Sequence, residues 1–173
     1  MAALQQVQPT LRELDLSLSL YSSCNDQDFD SFKISVKGQL GPLQVFSRLR
    51  KLKAPIVTLL GWSPDKFNSL RLAEVLPRGL THLGLTDDLS DQYTYEWNKG
   101  LVLGELNAFL DVWRSVTPDL QAMEFWMSWE EEEAQKIEPE LRRKCEKAGV
   151  LCTFPEYVEG SYSTMGFQWV RHG

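Results

Sequence analysis

Reactive side chains are scarce in this chain. Its 173 residues hold two histidines, His82 and His172, and three cysteines, Cys24, Cys145 and Cys152. No C-x-x-C pair and no Cys/His cluster occurs, so the ligand spacing of a zinc site is missing. An odd number of thiols also argues against a disulfide framework. The expectation is reduced thiols, with Cys145 and Cys152 packed as small apolar groups. Neither histidine lies in a triad motif, and no G-x-S-x-G, G-x-G-x-x-G or P-loop is present. No catalytic residue, metal or cofactor is therefore expected, although this leaves the question of an enzyme open.

Positive charge is also in short supply. Lys and Arg number 18 against 24 Asp and Glu, for a net charge of -6. A nucleic-acid partner would call for a basic patch, so none is expected. No apolar run approaches the length of a membrane span, and "MAALQQVQPT" has neither the basic region nor the long apolar region of a signal peptide. The chain is expected to avoid membranes and to reside in the cytoplasm or nucleus. Asp26, Asp28 and Asp30 imitate the start of a calcium loop, but position 31 is Ser where glycine is needed and position 37 is Lys where glutamate is needed. A solvated loop is the expectation there.

Leucine, by contrast, is abundant, at 26 of 173 positions. "LRELDLSLSL" (11–20) and "LTHLGLTDDL" (80–89) both read L-x-x-L-x-L. Chance alone would place this pattern roughly 0.6 times in such a chain, so counting looser copies decides the matter. "LRKLKAP" sets Leu49, Leu52 and Ala54 in the same register, and "LQAMEFW" sets Leu120, Met123 and Phe125. The four starts, at 11, 49, 80 and 120, are spaced as an irregular repeat in the range of stacked repeat proteins. Within each copy the last two apolar residues are two apart, which puts them on one face of a strand and their neighbours on the other. Strands are expected at 12–17, 50–54, 81–86 and 121–126, parallel and adjacent in that order.

Helical patterns fill the intervals. After the Ser63-Pro64-Asp65 turn, Phe67, Leu70, Ala73 and Leu76 suggest a helix that Pro77 stops. Val102, Leu106, Phe109, Leu110 and Trp113 form a stripe ending at Thr117-Pro118. Glu130 to Glu133 and then Arg142, Arg143, Lys144 and Lys147 suit the two ends of a helix dipole, and Gly149 suits its C-terminal cap. Its buried stripe would run through Ala134, Ile137 or Glu138, Leu141, Cys145 and Ala148, with Pro139 expected to kink it or split off a first turn. "VLCTF" alternates Val150, Cys152 and Phe154, a fifth strand candidate. The fold class is thus α/β, a short leucine-rich-repeat-like solenoid with a parallel sheet and helices on one side. Residues 1–155 form the domain and 156–173 a C-terminal tail.

"FSRLRKLKAPIVTLLGWSP" and "LAEVLPRGLTHLGLTDDL" resemble the leucine-rich C-terminal region of fungal F-box proteins, a likeness that spans roughly residues 1–155. The resemblance implies a protein-binding role, with substrate recognition in an F-box-like protein as its setting. No Leu-Pro-x-Glu opening stands before Leu11, so docking to a ubiquitin ligase is not carried over. Asp87 and Asp88 also stand in the region of the family's consensus asparagine; their adjacency suits a turn or cap after the strand.

The residues flanking the core leucines would line the recognition face: Glu13, Asp15 and Ser17; Lys51 and Lys53; His82, Gly84 and Thr86; Ala122, Glu124 and Trp126. Trp113 is expected in the core. Trp62, Trp126 and Trp129 follow strand candidates and could be core, pocket lining or protein anchors. The leading expectation is a protein-protein interaction module. The alternative is a stand-alone fungal enzyme or small-molecule binder with an enclosed pocket at Trp62, His82, Asp87 and Trp126. Finally, the helical face begun by Leu4 and Val7 is short, and the first strand carries leucines out to Leu20. Another chain, either a second copy or the rest of a parent protein, is expected to cover this end, which makes a homo-oligomer through the N-terminal repeat one outcome.

Overall fold

The computed structural model describes residues 6–18, 40–64, 71–90 and 95–155. Five strands form one sheet: β1 (Glu13–Asp15), β2 (Lys51–Pro55), β3 (His82–Thr86), β4 (Ala122–Trp126) and β5 (Leu151–Thr153). Their order in the sheet is their order in the chain, and every neighbouring pair is parallel. Among the described residues four α-helices accompany them: α1 (Ile56–Leu60), α2 (Leu72–Val75), α3 (Lys99–Val116) and α4 (Glu131–Ala148). The architecture is therefore α/β with a five-stranded parallel sheet.

The spacing of the leucines accounts for the register. Leu14, Leu52, Leu83, Met123 and Cys152 lie side by side across the five strands, and Ala54, Leu85 and Phe125 form the next such row. Both rows belong to one buried cluster together with Val57, Leu72, Phe109, Leu141 and Cys145 from the four helices. The first leucine of each copy marks the entry to the strand. Leu49, Leu80 and Leu120 each donate a backbone N–H to the residue three positions back, Phe46, Pro77 and Thr117. The same tight turn thus precedes β2, β3 and β4, and all three leucines are buried. Bonds across the sheet repeat as well: the N–H groups of Arg50, Thr81 and Gln121 donate to the carbonyls of Arg12, Arg50 and Thr81 at 2.7–2.8 Å.

The helices follow from local signals. In α3 the Asn98 side chain accepts the Leu101 N–H at 3.1 Å, satisfying a donor of the first turn. Its stripe of Val102, Leu106, Phe109, Leu110 and Trp113 is buried as the spacing predicts. In α4 three glutamates fill the first turn, Ile137, Leu141 and Cys145 are buried, and Gly149 closes the helix in the left-handed conformation at φ 75°. Pro139 does not split the helix. It lies on the exposed side, where water can satisfy the carbonyl it leaves unpaired.

Two local expectations need correction. Helix α2 ends before Pro77 as expected, but its buried residues are Leu72 and Val75, with Leu76 following them, rather than an Ala73 and Leu76 face. Phe67 and Leu70 lie outside the described residues. Helix α1 begins immediately after Pro55, so Trp62 follows a helix and not a strand. At the N-terminus, Leu11, Leu16 and Leu18 are only partly buried against the core. Leu4, Leu20, the Asp26–Asp30 stretch, Cys24 and residues 156–173 fall outside the described residues. No helix among the described residues is long and apolar enough to cross a membrane.

Candidate functional site

Because core side chains take one face of each strand, the other face carries everything between them. Its first row across the sheet is Glu13, Lys51, His82, Ala122 and Leu151. The second is Asp15, Lys53, Gly84, Glu124 and Thr153, and the third includes Pro55, Thr86 and Trp126. All eight expected binding residues, Glu13, Asp15, Lys51, Lys53, His82, Thr86, Glu124 and Trp126, share this face. Burial rises from the β1 side, where Glu13 and Asp15 are exposed, to β3, where Gly84 and Thr86 are buried.

Charges and rings interlock along the rows. Lys51 Nζ lies 2.9 Å from Glu13. Lys53 Nζ lies 3.8 Å from the centre of the Trp126 ring, two strands away. Gly84 makes that reach possible: a Cβ there would approach the Lys53 Cβ and Cγ to 3.1 Å each, closer than side chains ordinarily pack. The Trp126 indole N–H in turn donates to Glu124 Oε2 at 3.2 Å. Partial desolvation raises the Asp15 carboxyl above its ordinary 3.8; Lys53 opposes the rise and Asp88 adds to it.

At the C-terminal ends of the strands, Asp87 and Asp88 reach in opposite directions. Asp87 Oδ2 accepts the Ser128 N–H at 2.7 Å from the segment after β4. Asp88 Oδ2 accepts the Leu18 N–H at 2.6 Å from the segment after β1. The second contact passes over β2, whose chain has already turned into α1. The adjacent carboxylates thus brace the segments on either side of β3. Burial raises the Asp87 carboxyl, against the Ser128 hydrogen bonds. Tyr95 lies close by, its hydroxyl pushed up by burial and by both aspartates, and its ring meets Trp62 edge to face at 5.9 Å. The buried oxygens Thr86 Oγ1 and Tyr95 Oη have no hydrogen-bond partner among the described residues.

Of the four residues expected around an enclosed pocket, Asp87 and Trp126 stand at the C-terminal ends of adjacent strands, and Trp62 approaches them through Tyr95. His82 does not join them. It begins β3, four residues from Thr86, which is about 13 Å along a strand. Its Nδ1 instead contacts the Thr81 hydroxyl at 2.9 Å. A cavity of about 10 Å³ lies on the core side of the sheet, lined by Leu60, Leu85, Trp97 and Glu105 among others, and is no larger than one water molecule.

Glu105 is a residue that the sequence pattern does not single out. Its side chain is 6% exposed, with Oε1 accepting the Leu72 N–H at 2.8 Å and Oε2 lying 3.0 Å from Arg71. It caps α2 from a neighbouring helix, a role that no local spacing reveals. Trp97 is similar: it is buried, and its indole N–H donates to the Gly61 carbonyl at 2.7 Å. Cys145 and Cys152 are free and buried, facing each other from α4 and β5. Among the described residues no group of three or more His, Cys, Asp or Glu side chains is arranged to hold a metal ion. Comparison with protein-family models, with curated proteins and with solved structures gives no match.

Proposed function

We propose that this chain is a protein-protein interaction module of the leucine-rich-repeat type and that the open face of its parallel sheet receives the partner. The observation that carries the reading is the in-register separation of faces. Every core leucine of the repeats points one way, while Glu13, Lys51, His82, Lys53, Glu124 and Trp126 are displayed together on the other. Repeat proteins use such a face for recognition, because stacked strands give a wide, rigid surface whose side chains vary without disturbing the core. Recurrence of one entry turn before β2, β3 and β4 supports the repeat reading, as does Asp88 at the ninth position of its copy bracing the segment after β1. Recognition of a target protein, as the F-box-like resemblance implies, fits the same surface.

A photo-crosslinking residue in place of His82, compared with one in place of Lys136 on the exposed side of α4, tests this in the native host. Protein adducts from position 82 and none from position 136 are expected. Adducts from position 136 alone, or a small-molecule adduct at 82, would overturn the reading.

A further inference from the structure

The two halves of the open face differ in how their charges are matched. On the β1–β2 half Lys51 pairs with Glu13, while the Lys53 stem crosses Gly84 and its ammonium rests on the Trp126 ring. On the β3–β5 half Glu124 stands at the centre, and no cation lies within ion-pair distance of it among the described residues. Its nearest polar partner is the neutral Trp126 indole. In its own row it has Gly84, covered by the Lys53 stem, on one side and Thr153 on the other. The row below holds Ala122 and Leu151. Leu151 is 64% exposed, the most exposed large apolar side chain of the described residues.

A lone carboxylate between an indole and an exposed leucine complements a segment that places one cation between apolar side chains. Lys53 already holds one face of the Trp126 ring, which leaves Glu124 as the group for a partner's cation. The net charge of -6 favours the same sign of partner at longer range.

We propose that the β3–β5 half of the open face docks a protein segment carrying one Arg or Lys, whose cation pairs with Glu124 while its apolar neighbours rest on Trp126 and Leu151. The proposal rests on the open face being a protein-binding surface, and its test separates the two claims. A random peptide display library is selected on the full chain and on its E124Q, E124K, L151D and K136E variants, the last lying on the outer side of α4. Peptides selected by the wild type should share a basic residue, lose about tenfold in affinity on E124Q, and keep it on K136E. E124K should select acidic residues instead. Peptides that fail on L151D yet carry no basic residue and bind E124K as well as the wild type would overturn the pairing with Glu124 and leave the open face as the binding surface. Peptides sensitive only to K136E, or no sequence-dependent peptide at all, would overturn both. Self-association of the wild type that E124K abolishes would assign the face to a second copy and also overturn the proposal.

Discussion

Truncating Leu83 probes the repeat register directly. Leu83 is fully buried and sits between Leu52 and Met123 in the row that crosses all five strands. Removing three of its carbon groups forfeits about 2.4 kcal/mol of transfer free energy. The cavity left behind raises the cost toward the range of about 2–5 kcal/mol seen for buried leucines. Collapse is limited here, because the flanking strands are tied through their backbones; Met123 alone has the flexibility to lean in. A cost near the middle of that range, in a chain of this size, lowers Tm by about 6–14 °C. His82→Ala, one residue away on the open face, removes only a half-buried ring and its contact to Thr81 and should cost about 0.5 kcal/mol or less. Thermal unfolding followed by far-ultraviolet circular dichroism compares the two. Equal losses of Tm would mean that Leu83 does not face the core while His82 faces out, and the register argument would fail.

Glu105→Ala leaves the Leu72 N–H and the Arg71 guanidinium without their acceptor and should cost about 2–3 kcal/mol in urea unfolding. Glu105→Gln retains an acceptor and should cost clearly less; the reverse order would remove the capping role. Asp87 supplies a pH test: burial raises its folded carboxyl above the unfolded value of 3.8, so the folded chain holds that proton more tightly and ionisation costs stability. The stability of the wild type relative to Asp87→Asn should therefore fall as pH climbs from about 4 through the raised value, and a flat or rising difference contradicts the burial argument. Light scattering tests self-association through the first repeat, where β1 is an outer strand and Leu16 and Leu18 are only partly buried. A 19.9 kDa species at micromolar concentration and above rules that contact out.

Strand positions and facing were legible because a period of two leaves no freedom once one face is buried: a slip of one residue would turn Leu83 outward and His82 inward. Helix α3 was legible for the corresponding reason at a period of 3.6. What escaped was set by tertiary contacts. Helix α1, Ile56 to Leu60, is apolar except for Thr58 and too short to show a period that would separate it from the strand before it. Helix α2 is one turn long and takes its first N–H acceptor from Glu105, 33 residues away. The eight residues of the open face were readable as a shared face. The reach of Lys53 across the sheet to Trp126 was not, because it depends on a glycine in the strand between them.

Asp87 and Asp88 show how adjacent carboxylates brace the edge of a parallel sheet. An asparagine side chain both accepts and donates hydrogen bonds, so one amide can hold a neighbouring N–H and also give its own protons to a carbonyl. An ionised aspartate only accepts. Here two adjacent carboxylates divide the work: Asp88 takes the Leu18 N–H toward β1, and Asp87 takes the Ser128 N–H toward β4. The arrangement tolerates unequal repeats, since each carboxylate needs only one donor within reach, and β2 can leave the sheet for α1 without breaking the chain of contacts. It also gathers negative charge at the C-terminal edge of the sheet, where it adds to the rise that burial gives the Tyr95 hydroxyl and the Asp15 carboxyl. The pair of carboxylates that braces the segments on either side of β3 therefore gives one edge of the open face its sign.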